Sequence, residues 1–357
     1  MGSGFIEQAL EILGSVPLID GHNDWPHLIR GFYDNKLDRR FQRESNLAGH
    51  VDIKRLKEGR SGGAFWSVYI DCPDSDDFTD DAIHFEALRD TIQQIDLVHR
   101  LLELYPDDMG LIEDSSDIMR LFKASKFSSL IGVEGLHQIA NSVSVLRMYY
   151  KLGVRYVTLA HNKNNIYADS ATSSSPAHGG LSAQGIDMIR EMNRIGIASI
   201  VPHVRNVSDA VLKKLQANNG VIMVTFIPSL IHTKASEASI DHIIDHIIYA
   251  GDLIGYNHIG LGSDYDGMFS AVKGVDDVSL YPDLVAKMLE RGISRPDVEM
   301  VVGLNIIRVL EEVEARATKL KSQSAVMEDE VKQLWNDNFR ATVESVYPHA
   351  EKGTRIT

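Results

Sequence analysis

Polar residues with ligand or proton-transfer chemistry stand at the ends of apolar runs in this chain. His22 and Asp24 lie in "PLIDGHNDWPHL", Glu134 in "GVEGLHQI", His161 in "TLAHNKNN", and Asp264 and Asp266 in "GLGSDYDG". In a strand, residues i and i+2 point the same way, so His22 and Asp24 can share one ion. Imidazole with carboxylate suits zinc. The plain alternative is a histidine hydrogen-bonded in the turn before Pro26. Glu134, flanked by glycine, can approach a metal closely and bridge two ions with its two oxygens; otherwise it caps the following helix. His137 reads as a structural or outer-layer residue.

His161 can donate to a substrate oxygen or to developing negative charge, or it is a core histidine satisfied by backbone. Arg205, in "RNVSD", can grip a carboxylate with both arms of its guanidinium, or it is a solvated arginine. Asp264 and Asp266 fall on one side of a strand end, where a carboxylate beside a metal-bound water is well placed as general base. Gly260 and Gly262 do not open a dinucleotide fingerprint, because Tyr265 stands where its third glycine belongs. No phosphate-binding loop and no serine or cysteine nucleophile motif stands out.

These residues need elements to position them. Seven short apolar runs read as strands: "VPLIDGHN", "AFWSVYI" at 64–70, "SLIGVEG" at 129–135, "VRYVTLAHN" at 154–162, "IASIVPH" at 197–203, "GVIMVTFIP" and "HIGLGSDYDG". Helical patterns separate most of them, such as 79–105, "GIDMIREMNRIG" closed by glycine, and "SDAVLKKLQANNG" capped at Ser208 or Asp209. Strands alternating with helices predict an α/β fold with a parallel sheet. Polar residues at the C-terminal strand ends fit a TIM-type barrel, whose active site lies on that face. A closed barrel of that type needs eight strands, one more than the runs supply.

Composition sets the outer bounds. The chain has 357 residues, 44% hydrophobic, which is enough for one elaborated barrel. A net charge of −14 argues against nucleic acid and anionic membrane as partners. Cys72 is the single cysteine, so no intrachain disulfide forms. No secretory pattern opens the sequence, no apolar run is long enough to span a bilayer, and the last residues are polar. The expectation is a cytoplasmic protein.

Taken together, the chain resembles the renal (membrane) dipeptidase family of zinc metallopeptidases, of the cytosolic fungal type, from about residue 16 to about 315. "LIDGHNDWP", "GGAFWSVYI", "GVEGLHQI", "LAHNKNN", "GLSAQGIDMIREMNRIG", "PHVRNVSDAVL", "GLGSDYDG" and "GLNIIRVLEEVE" carry the likeness. The resemblance implies a TIM-type barrel with a two-zinc centre that cleaves dipeptides by attack of a metal-bound hydroxide. It implies that His22 and Asp24 bind the first zinc, that Glu134 bridges both and serves catalysis, and that His161 meets the scissile carbonyl. Arg205 would hold the substrate's terminal carboxylate, and Asp264 would transfer protons and contact substrate. The implied partner is a small dipeptide or dipeptide conjugate, of Cys-Gly type in secondary metabolism by analogy with some fungal relatives. A homodimer is compatible with the family. No composition break divides the chain, so one barrel domain is expected over 1–357, with a C-terminal helical extension from about 318.

The likeness breaks between "EMNRIGI" and "PHVRNVSD". There the chain is shorter than the family by roughly thirty residues, about one strand–helix unit. The two histidines that hold the family's second zinc belong to patterns absent here. His203 falls on one of them when counted forward from "EMNRIG", and on a non-ligand histidine when counted back from "RNVSD"; its flanks favour the second. One or two zinc ions are therefore expected. The rival expectation is an impaired remnant that binds one zinc, or a dipeptide-like ligand, without turnover. A mononuclear amidohydrolase is a third, against which His-x-Asp in place of His-x-His argues.

Overall fold

The computed structural model describes residues 3–75, 77–200 and 207–351. Eight strands form one sheet: β1 (Leu18–Asn23), β2 (Ser61–Ser67), β3 (Met109–Leu111), β4 (Phe127–Val133), β5 (Val154–Thr158), β6 (Ala198–Ile200), β7 (Ile222–Val224) and β8 (Ile259–Leu261). Every pairing between them is parallel. Seven strands follow one another in the order β6-β5-β4-β2-β1-β8-β7. The eighth, β3, pairs with residues 127–129 of β4, and β5 takes over from residue 131.

The seven strands of this path are the seven apolar runs expected from the sequence. The path curves into a barrel that stays open, because β6 and β7 share no pairing among the described residues. Where a complete unit would supply a further strand, the described chain between β6 and β7 has one helix, Asp209–Ala217. The fold is thus an α/β barrel short of one strand–helix unit. Its two open edges carry ladder groups that a neighbouring strand normally satisfies. Ile222 and Met223 of β7 are correspondingly half-exposed.

Local chemistry explains the elements. All seven residues of β4 are buried, as a strand covered on both faces requires. Its polar members are absorbed by contacts, as where Trp66 Nε1 donates to Ser129 Oγ at 3.0 Å. Ser182 caps the helix Ala183–Ile195 by accepting from Gly185 N at 3.0 Å, and Gly196 ends it in the left-handed region at φ 93°. The run expected at 64–70 pairs three residues earlier, at 61–67, and leaves Val68 to Ile70 to form the barrel mouth. The long C-terminal helix Asn305–Leu320 packs on Ala183–Ile195. Beyond it the chain is tied back at Val326, Met327 and Asp329, and a last helix, Asp337–Val346, buries no residue.

Candidate metal centre

The site lies at the C-terminal ends of the strands. In β1 the alternation places Asp20 and His22 on one side, and Asp24 continues it past the strand end. Asp20 is consumed by structure. Its carboxylate accepts from Ser263 N at 2.8 Å, Ser263 Oγ at 2.6 Å and the Tyr281 hydroxyl at 2.8 Å. Asp24 occupies the N-cap position of the helix Trp25–Tyr33 but makes no side-chain cap bond. Its carboxylate is left for the site.

His22 is the centre of the group. Its Nδ1 lies 2.7 Å from the Tyr156 hydroxyl, which turns Nε2 toward carboxylates. Nε2 stands 3.4 Å from Asp24 Oδ2, 3.4 Å from Glu134 Oε2 and 3.7 Å from Asp264 Oδ1. Glu134 follows β4, where Gly135 turns the chain at φ 117°; a Cβ there would stand 2.4 Å from His137 Nδ1. Ser67 Oγ donates to Glu134 Oε2 at 3.3 Å, and Glu134 N donates to Gln138 Oε1 at 3.1 Å. The other Glu134 oxygen lies 3.6 Å from His161 Nε2. His161 also packs edge-on against Tyr69, with ring centroids 4.7 Å apart.

The two aspartates of "SDYDG" separate. The strand β8 stops at Leu261, so they do not share one side of a strand end as their spacing suggested. Both take left-handed backbone, at φ 65° for Asp264 and 69° for Asp266, where side-chain-bearing residues are uncommon. Asp264 turns into the site. Asp266 instead accepts from His50 N at 2.6 Å and faces His50 Nδ1 at 3.0 Å, pinning the 49–50 loop. Strand ends β1 and β8 are laced by Asp264 N donating to His22 O at 3.0 Å and Asp24 N to Tyr265 O at 2.8 Å.

Burial pulls the His22 pKa down, the negative charges of Glu134 and Asp24 push it up, and the net shift is upward. Burial pushes Asp24 up; the charge of His22 beside it, with Asp264 and Ser67, reverses this and brings it to about 2. Asp264 is raised well above the carboxylate range, first by burial, with His22 opposing and the charges of Asp24 and Glu134 adding to the rise.

The donors suit a metal ion. His22 Nε2 and Asp24 Oδ1 are buried and have no hydrogen-bond partner. Unpartnered buried polar atoms are costly unless something engages them. A Cβ on Gly267 would come 2.4 Å from Asp24 Oδ2 and 2.6 Å from Asp264 Oδ1, so the bare glycine lets the two carboxylates close together. Among the described residues one group of three donors is mutually close enough for a single ion, His22, Asp24 and Asp264, with all donor atoms within 4.8 Å. No second such group is found among them. His203 and Arg205 lie outside the described residues.

Sequence reasoning missed Tyr156, Ser67 and Asp20. The first two sit within apolar runs, and only the parity of Asp20 with His22 hinted at the third.

A parallel barrel with metal-type donors at its C-terminal mouth defines a metallohydrolase-like architecture. The model of the membrane dipeptidase family (peptidase family M19) matches residues 6–199 and 197–324, and the chain belongs to that family. Dipeptidase tcpJ of Claviceps purpurea (strain 20.1) is 48% identical over 397 aligned positions, covering 97% of this chain and 93% of that protein. Dipeptidase verJ of Clonostachys rogersoniana is 44% identical over 372 positions, covering 95% of each. The crystal structure of the probable dipeptidase PvdM from Pseudomonas aeruginosa shares the fold, with a TM-score of 0.78 at 19% identity over 89% of this chain and 100% of that one.

The two matches also bear on the shortening. The 97% of this chain that is aligned amounts to about 346 residues, so roughly fifty of the 397 positions have no counterpart here. The two family-model stretches overlap at 197–199, at the start of β6. No described helix is long and apolar enough to cross a membrane.

Proposed function

We propose that this chain is a zinc-dependent dipeptidase working with a reduced metal centre. The observation that carries the reading is the convergence of three carboxylates on the unpartnered Nε2 of His22 at the barrel mouth. His22 and Asp24 hold zinc, with Glu134 facing the same imidazole as a further donor. When bound, zinc polarises a scissile carbonyl and makes water acidic enough to ionise near neutral pH.

The chain's own residues do the rest. Asp264 takes the proton of the attacking water and returns it to the leaving amine. His161, beside Glu134, donates a hydrogen bond to the carbonyl oxygen as it gains charge. Arg205 clamps the terminal carboxylate of the dipeptide, a role supported by the sequence likeness around "RNVSD". Ser67 holds Glu134 in place. A dipeptide of Cys-Gly type is the first substrate to test, followed by a panel differing in each side chain.

The test is release of amino acid from these dipeptides by the purified chain, before and after chelation. Hydrolysis that stops with chelator and returns with zinc is expected. Hydrolysis that persists without metal would remove the reading.

One observation favours a second reading, metal binding without turnover: the described residues contain a single three-donor group. Zinc uptake with no dipeptide cleaved, across the whole panel, would select it. The cytoplasm is the proposed location, from the single cysteine and the charge.

A further inference from the structure

We propose that Asp264 is itself a ligand of the bound ion in this chain, so that one ion is held by His22, Asp24 and Asp264, with Glu134 beside the same imidazole. This rests on the zinc reading above and deepens it. It changes Asp264 from a carboxylate standing off the metal into one that holds the ion while no substrate is bound.

The distances carry the argument. An ion with bonds of about 2.1 Å to tetrahedral ligands keeps those ligands about 3.4 Å apart. His22 Nε2 is separated from Asp24 Oδ2 by 3.4 Å and from Asp264 Oδ1 by 3.7 Å, which are edges of that size. Asp24 is 3% exposed, and its Oδ1 has no partner. Asp264 beside it is half-buried, and two carboxylates held close with little water repel each other unless a proton or a cation lies between them.

The backbone makes the closeness obligatory. Asp264 N is bonded to His22 O, and Asp24 N to Tyr265 O, so the two carboxylates are carried by strand ends fastened to each other. The left-handed turn at Asp264 aims its side chain back over β1. Gly267 leaves the space that both carboxylates use. Asp266, with the same local backbone, is held by His50 and is absent from the group.

The ligand count gives the reason. Among the described residues few protein donors are close together, and a catalytic zinc needs three. Asp264 supplies the third in a mutually close set. For proton transfer it must then leave the ion as the dipeptide enters.

The test titrates cobalt(II) into the metal-free full-length chain, reading visible absorption and affinity by chelator competition. Wild type, Asp264→Asn, Asp264→Glu and Asp266→Asn are compared, with circular dichroism to confirm that each is folded. The expected result is one cobalt per wild-type chain. Asp264→Asn should bind more than about 100-fold weaker, beyond the usual loss from outer-layer changes, with an altered spectrum. Asp264→Glu should recover part of both, and Asp266→Asn should keep the wild-type spectrum.

Unchanged affinity and spectrum in Asp264→Asn, with hydrolysis lost, would overturn this inference and leave the zinc dipeptidase reading standing. Two cobalt ions per wild-type chain would overturn the single-ion arrangement. A wild-type chain that takes up no cobalt would overturn both.

Discussion

The Tyr156 hydroxyl lies 2.7 Å from His22 Nδ1, across 134 residues of sequence. A ligating histidine is oriented by what its second nitrogen bonds, and here that partner is a buried phenol on a different strand. On the zinc reading proposed above, Nε2 is kept for the ion and Nδ1–H donates to the phenol oxygen. Burial raises the Tyr156 pKa beyond the usual phenol range, so the hydroxyl stays neutral and serves as a dipole rather than a charge.

Tyr156→Phe should therefore weaken zinc binding by about 10- to 100-fold while leaving the fold intact. Competition with a chromophoric chelator reads the affinity, and circular dichroism reads the fold. Zinc binding equal to wild type would show that the phenol does not orient His22.

Gly132 on β4 pairs with Tyr156 on β5. A Cβ at Gly132 would lie 2.1 Å from Cζ of the Tyr156 ring, so this position must lack a side chain. Gly132→Ala should cost about 1–3 kcal/mol of stability through overpacking. It should also reproduce the metal defect of Tyr156→Phe, because the ring is pushed off His22. Denaturant unfolding and chelator competition on one preparation test both halves.

Much of this centre was legible in the sequence, for physical reasons. His22 and Asp24 share strand parity, and Glu134 and His161 end apolar runs, so pattern alone brings them to one face. The missing unit was legible as a strand count of seven, and the open edge between β6 and β7 is its consequence. Tyr156 and Ser67 were not legible. Each reads as one more position of a buried strand, and its role comes from a contact made only when strands pair. The divergence of Asp264 and Asp266 was hidden too, because it depends on positive φ. The one available signal was that aspartate tolerates that region better than most residues. The strand β3 has three residues, too few to show a period.

Glu191 anchors the C-terminal segment to the barrel. It accepts from Arg147 Nε at 2.9 Å, Arg194 Nε at 2.7 Å and Val326 N at 3.0 Å, and it is fully buried. Burial raises its pKa, but Arg194, Val326 and Arg147 outweigh that and bring it down to about 2. A folded pKa below the unfolded one contributes stability that is present above the unfolded value, about 4.3 for glutamate. That stability is lost as pH falls from there toward about 2. Urea unfolding across this window should show the loss in wild type and a flatter profile in Glu191→Gln. At neutral pH the variant should be less stable by about 3 kcal/mol, since it leaves two arginines without their buried partner. Parallel pH profiles for the two proteins would contradict this assignment.

The proposed centre holds a single ion at the mouth of an incomplete barrel. Zinc bound per chain, measured by elemental analysis after dialysis against zinc buffer and then metal-free buffer, tests it most directly. About one ion per chain is expected, lost from a His22→Ala, Asp24→Ala double variant that remains folded. Two ions per chain, or none, would contradict it.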